Sequence, residues 1–193
     1  MITSLTTAQI QSIQIDEGVV YINYGESNQV FLAPCRGGGE FSATATVRDI
    51  EFDGRHGKTA GMQVIEDQAA SLKVTTLSLT QENLAMAIPT AVVSSAQNAN
   101  SAVVNPPTGY IPPANYLTNV TMFCKTIGNK YKKITLFNPL HEGGINVKAV
   151  QKAEGELALE FMAHYAHTDL DGTLWKIEEL SSLPATLPGV VPD

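Results

Sequence analysis

The feature that most constrains this fold is a period-two alternation of apolar and polar residues along most of the chain. In the segment 156–166, Leu157 and Phe161 share one face, while Glu156 and Glu160 lie on the other. Such alternation is typical of β-strands with one buried face, and helical periodicity is scarce here. We therefore predict an all-β sandwich or barrel. The predicted strands are 18–25, 29–33, 40–52, 72–80, 119–127, 130–138, 145–150, 156–166 and 173–180.

Two of the predicted strands change the phase of their alternation midway. In 40–52 the change falls near Asp49, and in 72–80 it falls after Val74. A β-bulge, or a strand that passes from one sheet to another, produces such a change. We expect these two strands to pair around the same bend. The glycine run 37–39 predicts a second bend where the first of them begins.

We take the 193 residues as one domain spanning 1–193. Three segments within it are not predicted to be strands. Thr80 is the predicted N-cap of a short helix over 81–88, the one helix that the pattern supports. The stretch 89–116 has no charged residue and holds five of the ten prolines, so we interpret it as a proline-rich insertion. The last residues, 181–193, are also proline-rich, and we predict an extended tail.

The net charge and the fraction of charged residues limit the possible functions. The formal net charge is −7, which argues against a protein that binds nucleic acid by neutralising phosphates. Charged residues are only 16% of the chain, against about 25% in an ordinary soluble domain. Copies of the chain that bury each other's surfaces would explain this, and so would a Ser/Thr-rich β-domain. Cys35 and Cys124 form no metal or redox motif, which predicts a chain kept in a reducing cytosol.

No catalytic or metal-binding constellation emerges from the sequence. The string DLDGTL at 169–174 resembles the nucleophile motif of haloacid-dehalogenase-type phosphatases, but the parallel α/β pattern of that family is missing. We interpret the string as a hairpin turn, because Asp-Gly between apolar runs favours one. His164 and His167, three apart on a strand, would point to opposite faces and share no metal. We predict no enzyme activity, catalytic residue, metal or cofactor.

One stretch has a familiar order of elements. It contains, in order, the glycines 37–39, a long strand, Asp53-Gly54, a loop closed by Gly61, the residues MQVI at 62–65, a second long strand and LTQENLAMAIP at 79–89. This order resembles the major tail tube proteins of long-tailed bacteriophages, in which a Glu-x-Asp-Gly-type turn precedes a glycine-bearing loop and a strand that runs into a short helix. The motifs cover about a quarter of the chain, and the insertion 89–116 is not shared.

The resemblance implies a structural virion protein. Tail tube proteins form hexameric rings that stack into a hollow tube and guide the genome from the capsid to the host. Each subunit adds strands to a continuous inner β-barrel, and a loop reaches the next ring; type VI secretion tubes share this architecture. The implied partners are other copies of the chain and the tape measure, tail terminator and tail tip proteins. DNA would pass without being bound, no membrane would be involved, and assembly into the tail would take place in the host cytoplasm.

Two sets of residues are the candidate sites for such an assembly. The predicted ring-to-ring contact is a polar, glycine-flanked loop comprising Asp53, Gly54, Arg55, His56, Gly57 and Lys58. The predicted lumen-facing residues are Asp49, Glu51, Glu156 and Glu160. Acids repeated around a ring would repel the phosphates of passing DNA.

Rival function classes stay open at this point. The chain is alternatively another β-rich phage or secretion-system component, such as a tail terminator, a decoration protein or a type VI tube. A carbohydrate-binding β-sandwich is a third possibility. It would need an exposed aromatic platform, and the chain has one tryptophan, Trp175, and 7% aromatic residues.

Overall fold

The computed structural model describes residues 4–16, 18–54, 56–89, 91, 93–95, 102–104, 109–146, 154–184 and 187. Its helices are α1 (Thr7–Gln11), α2 (Gln81–Met86) and the 3-10 turn η1 (Pro113–Asn115). Its strands are β1 (Val19–Ile22), β2 (Val30–Leu32), β3 (Cys35–Asp49), β4 (Gln63–Thr76), β5 (Val93–Ser95), β6 (Ala102–Val104), β7 (Asn119–Lys125), β8 (Tyr131–Phe137), β9 (Leu140–His141), β10 (Leu157–Met162) and β11 (Trp175–Leu180).

Two antiparallel sheets face each other and confirm the predicted all-β sandwich. Sheet I has the order β11-β8-β7-β1-β2, and sheet II has the order β3-β4-β10-β9. The alternation of apolar residues places one face of each sheet in a shared core. The most deeply buried members of that core are Val20, Ile22, Leu32, Leu72, Val120, Leu136, Leu157, Leu159 and Phe161.

A second apolar cluster covers the outer face of sheet I. Tyr21 and Phe123 are buried there, with their ring centroids 5.9 Å apart in an edge-on arrangement. Leu183 and Leu187, from the predicted tail 181–193, pack against this cluster. The described part of the tail is therefore docked on the sandwich. Its remaining residues lie outside the described part of the chain.

The two long strands pair as expected, since β3 and β4 form one antiparallel hairpin. The register shifts twice: once between Arg36 and Gly39, and once between Thr46 and Val47. At the first shift, Gly37 and Gly38 have φ of 77° and 76°, a region that favours glycine. The second shift lies close to the predicted bend near Asp49. A bulge of this kind bends the strand and increases its twist.

Several boundaries differ from the sequence prediction. The Thr80 hydroxyl accepts a hydrogen bond from the Asn83 amide (3.3 Å), which confirms the N-cap, but α2 ends at Met86. The helix α1 is an additional element, capped by a reciprocal pair of hydrogen bonds between Thr6 and Gln9. β4 begins at residue 63 and is therefore longer than the predicted strand 72–80.

Three further predictions have other outcomes. The DLDGTL string at 169–174 lies in successive turns, but it is not a hairpin, because it joins β10 of sheet II to β11 of sheet I. In the insertion 89–116, the described parts include the antiparallel ribbon β5–β6. Its other residues up to 108 are mostly outside the described chain. The predicted strand 145–150 is described only at Ile145 and Asn146, which are not in a strand.

Candidate assembly surface

The β3–β4 hairpin continues beyond the body of the sandwich as an exposed arm, which we define as residues 44–67. The other part of the hairpin, 35–43 and 68–76, packs against the core under sheet I, whereas almost every described arm residue is exposed. Thr44–Asp49 alone spans about 20 Å at the usual rise of a β-strand. The arm therefore places backbone and side chains well away from the core that stabilises the subunit.

The core-side face of sheet II continues onto the arm without a cover. Because side chains alternate, Ala45 and Val47 lie on the same face of β3 as the core residue Phe41. Val47 pairs with Ile65, and the two are 53% and 59% exposed. We call Ala45, Val47 and Ile65 the arm stripe. It is a short apolar strip between Gln68 on one side and the Asp49–Gln63 pair on the other, and the described part of the chain leaves it exposed to solvent.

The predicted ring-to-ring loop forms the apex of this arm. Asp53, Gly54, His56, Gly57 and Lys58 are all exposed. Arg55 lies outside the described residues. Backbone hydrogen bonds from Ile50 to Met62 (2.8 Å) and from Met62 to Thr59 (3.1 Å) close the base of the apex. The structure places this loop at the tip of the hairpin, and its contact with another ring stays a prediction.

The hairpin also has an unpaired edge. Within the described chain, β3 pairs with β4 alone, although it is 15 residues long. A long edge strand exposes a row of amide and carbonyl groups that can pair with another chain. Arg48 on β3 bonds to Glu66 on β4, so the exposed arm also carries an ion pair across its own two strands. The other sheet edges are shorter: β9 has 2 residues, β2 has 3, and β11 has 6.

The outer face of sheet II, away from the core, carries two charge triads. In the first, the Lys73 Nζ lies 3.3 Å from the Glu160 carboxylate. Glu40 on β3 is the residue directly opposite Lys73 in the strand pairing. In the second, the Arg36 guanidinium contacts Glu154 at 2.8 Å and Glu156 at 2.6 Å. Each triad has one base and two acids, so this face carries a net negative charge.

Hydrogen bonding within the second triad shifts the pKa values of Glu154 and Arg36. The bond from Arg36 favours the ionised carboxylate and holds the pKa of Glu154 below its usual value. The hydrogen bonds that Arg36 donates, to Glu154 first and to Glu156 second, raise the pKa of its guanidinium.

The four predicted lumen residues do not share one face. Glu156 and Glu160 belong to the outer-face triads of sheet II. Asp49 is an even number of residues from Phe41 along β3, so both lie on the core-side face of sheet II, opposite the triads. There Asp49 accepts a hydrogen bond from Gln63 (2.7 Å). Glu51 is exposed beyond the end of β3. Sequence reasoning missed Glu40, Lys73 and the Arg36 triad, because cross-strand register decides their proximity.

The histidines and the aspartate turn have structural partners. Buried His141 accepts a hydrogen bond from the Glu160 amide at Nδ1 (2.8 Å) and donates one from Nε2 to the Gly144 carbonyl (2.9 Å), which anchors β9 and the turn after it. His164 Nε2 lies 3.2 Å from the Glu142 carboxylate. The Asp169 amide donates a hydrogen bond to the Ala166 carbonyl (2.9 Å). These contacts give structural partners to His164 and Asp169, which the sequence offered as possible chemistry, while the buried His164 Nδ1 has no hydrogen-bond partner among the described residues.

Two searches of the described residues are negative. They contain no group of three or more His, Cys, Asp or Glu side chains that could hold a metal ion. Among the same residues, no helix is both long and apolar enough to cross a bilayer.

Trp175 packs edge-on against Phe41, with ring centroids 5.5 Å apart, and so helps to close the core where the arm begins.

Comparison with known proteins identifies no relative. No protein-family model matches the chain, and no curated protein matches its sequence.

Proposed function

We propose that this chain is a structural subunit that self-assembles into stacked hexameric rings, forming the tail tube of a long-tailed bacteriophage. The single observation that carries the proposal is the β3–β4 hairpin, whose outer half has no cover and whose edge has no partner among the described residues. A 15-residue edge strand is an aggregation hazard in a lone protein. Pairing between neighbouring copies in a closed ring would remove it.

The order of elements supports the tail tube in particular. The glycine run, the long hairpin with an exposed apex and the short capped helix α2 follow one another as in the tail tube resemblance. The hexamer number, the tape measure, terminator and tip partners, and assembly in the host cytoplasm come from that resemblance alone. The low charged fraction, 16%, suits a subunit whose surfaces meet other copies.

Sheet II is the part of the subunit that we assign to the inner wall. Its outer face carries the two triads of Arg36 and Lys73, each with an excess of acid. Duplex DNA has about one negative charge per 1.7 Å of its axis, so a basic wall would bind it and slow its passage. An acidic wall would leave it mobile, and no enzyme activity or cofactor is needed.

Electron microscopy of the purified protein, from dilute to concentrated solution, tests the assembly. We expect rings or tubes of uniform diameter with six-fold symmetry. The matched control is a variant with Pro at Ala45 of the arm. Because the Ile50 amide donates to the Met62 carbonyl within the hairpin, alternation places the Ala45 amide on the free edge, and proline there disfavours pairing with another copy. Dispersed wild-type monomers at every concentration would contradict the proposal.

The wall assignment has a separate test. Replacing Glu156 and Glu160 with Lys should leave tubes intact but cause DNA to adhere inside them, and adhesion should weaken as salt rises. The control is Glu179→Lys on β11 of sheet I, which changes the charge away from sheet II. Equal DNA retention by both variants would show that sheet II does not line the passage.

The main alternative is another β-rich virion or secretion-system component, such as a terminator, a decoration protein or a type VI tube. The same exposed arm favours it, because any of these would use an arm to meet copies or neighbours. The microscopy separates them: a single ring that never stacks indicates a terminator-like role. Magnesium-dependent phosphatase activity that Asp169→Asn abolishes would replace all of these with an enzyme.

A further inference from the structure

A second exposed apolar surface is built by the N-terminal segment and the β7–β8 turn. Ile10, Ile13, Ile15 and Ile127 are 40%, 46%, 56% and 42% exposed, and we call them the isoleucine patch. Four branched aliphatic side chains in one exposed cluster are unusual for a surface that stays in water. Like the arm stripe, the patch suits a covering partner.

Backbone hydrogen bonds hold this patch in a defined shape. The Ile127 amide donates to the Ile13 carbonyl (2.9 Å), and the Gly128 amide donates to the Gln11 carbonyl (3.0 Å). The Ile15 amide donates to the Lys125 carbonyl (3.1 Å). These bonds add the N-terminal segment to the end of β7. A surface organised before binding loses less conformational entropy when it is covered.

The arm and the isoleucine patch lie at opposite ends of the sandwich. Along β3 toward the arm, Gly39 sits against Met122, and Phe41 then packs against Trp175. Trp175 pairs with Leu136, close to the end of β8 that is far from the β7–β8 turn. As β3 runs toward the arm, it therefore moves away from the β7–β8 turn.

The charges of the two ends disfavour contacts between like ends. The arm has three bases, Arg48, Arg55 and Lys58, against five acids, Asp49, Glu51, Asp53, Glu66 and Asp67. The segment 119–141, which contains the β7–β8 turn, has four lysines and no acid. Two of these are paired with acids of β11: Lys130 with Glu179 at 3.2 Å and Lys133 with Glu178 at 3.1 Å. Two arms side by side would bring an acidic excess together, whereas an arm against this turn would not.

We propose that the arm stripe of one subunit docks on the isoleucine patch of the next copy, head to tail. A contact between two different surfaces at opposite ends repeats without closing and so builds a filament along one axis. The partner is thus a second copy of this chain, and the contact supplies the stacking step of the proposed tube. It rests on that proposed function for its biological role but not for its geometry.

Cysteine crosslinking between two variants tests the pairing. Ile65→Cys places a thiol on the arm stripe, and Ile127→Cys places one on the patch. Oxidation of a mixture should give crosslinked dimers that contain one copy of each variant, at least ten times more than either variant gives alone. Lys176→Cys, exposed on β11, is the control that should crosslink with neither.

The native cysteines leave a low background in this experiment. Cys124 is buried, and burial first, with the nearby Asp16 carboxylate second, raises the pKa of its thiol to about 11. Burial also raises the pKa of Cys35, whose Sγ donates to the Leu32 carbonyl at 2.9 Å. Since the thiolate is the reactive form, both are poor partners for oxidation near neutral pH.

The outcomes separate this proposal from the proposed function. Mixed crosslinks support the docking, and they do so even if the assemblies are filaments without rings, a result that would overturn the hexameric tube alone. Tubes that form without mixed crosslinks overturn the docking and leave the tube in place. Abundant crosslinks within the Ile65→Cys sample alone would mean that arms meet arms, which also overturns the docking.

Discussion

The two halves of the β3–β4 hairpin share one backbone pairing but differ in what covers them. In the body, Leu72 and Val74 are 0% and 3% exposed, because sheet I lies over them. On the arm, Val47 and Ile65 are more than half exposed on the same continuous sheet. Apolar burial is the main favourable term in folding, so the body half stabilises the subunit and the arm half adds little.

The comparison separates the part of the hairpin that stabilises the subunit from the part whose apolar side chains are exposed to solvent. An arm that contributes little to subunit stability but keeps paired β-branched residues has its apolar surface free for a partner. The difference between the halves can therefore be measured as stability on one side and as assembly on the other. The predictions below use that contrast.

The largest expected effect comes from truncating matched aliphatic residues on the two halves of β4. Leu72→Ala should lower the free energy of unfolding by about 2–5 kcal/mol, because it leaves a cavity in the core. Ile65→Ala on the arm should change it by less than about 0.5 kcal/mol. Urea unfolding of dilute, unassembled protein measures both. Equal losses would mean that the arm packs on the body in solution.

A smaller loss is expected where the body half approaches sheet I most closely. A Cβ added at Gly39 would overlap the Met122 sulfur. Gly39→Ala should therefore lower the free energy of unfolding by about 1–3 kcal/mol through overpacking.

Shortening Met122 tests this cause. In a double-mutant cycle with Met122→Ala, the cost of Gly39→Ala should nearly vanish, since the overlapping atoms are gone. An unchanged cost would assign the effect to the backbone of β3 instead.

A near-zero effect on folding is expected at the arm apex. Replacing Asp53–Gly61 with Gly-Gly should change the free energy of unfolding by less than about 1 kcal/mol, because loop length affects closure entropy only weakly. The same variant should lose stacked assemblies in electron microscopy. Normal tubes from the shortened protein would show that the apex makes no contact between rings.

The same contrast explains what the sequence could predict. Alternation predicted β10 and most body strands because each has one buried face. It missed the part of β4 over 63–71, because residues 63–68 are exposed on both faces and have no reason to alternate. Thr80 was identifiable as an N-cap, since capping depends on residues adjacent in sequence.

Partners across sheets were beyond the reach of local patterns. Asp-Gly at 171–172 correctly indicated a turn, but turn chemistry does not say which strands it joins, and β11 pairs with β8 instead of β10. The outer-face triads depend on the register that sets Lys73 beside Glu160. The isoleucine patch was missed because residues 10–15 are too short a segment to show a strand or helix period. Only the pairing of Gln14 with Thr126, distant in sequence, brings the segment to the β7–β8 turn.

The smallest expected effect concerns ion pairs on the body, which should give stability a weak acid dependence. Hydrogen bonds from Lys176 and Lys133 lower the pKa of Glu178 in the folded protein. A carboxyl whose pKa is depressed by folding stabilises the protein above its unfolded pKa, about 4.3 for glutamate. That contribution should be lost as the pH falls from there through the folded pKa. Because the side chains are partly exposed, we expect at most about 1 kcal/mol.

Urea unfolding of wild type and Glu178→Gln at pH 7 and pH 3 measures this contribution. The wild type should lose more stability on acidification than Glu178→Gln, by up to about 1 kcal/mol. Replacing both Lys133 and Lys176 with Gln should remove the same difference. The contact between Lys133 and the Tyr24 ring, 5.2 Å away, adds only an offset that is equal at both pH values. A wild type and a Glu178→Gln variant with identical acid losses would show that these bonds do not persist in solution.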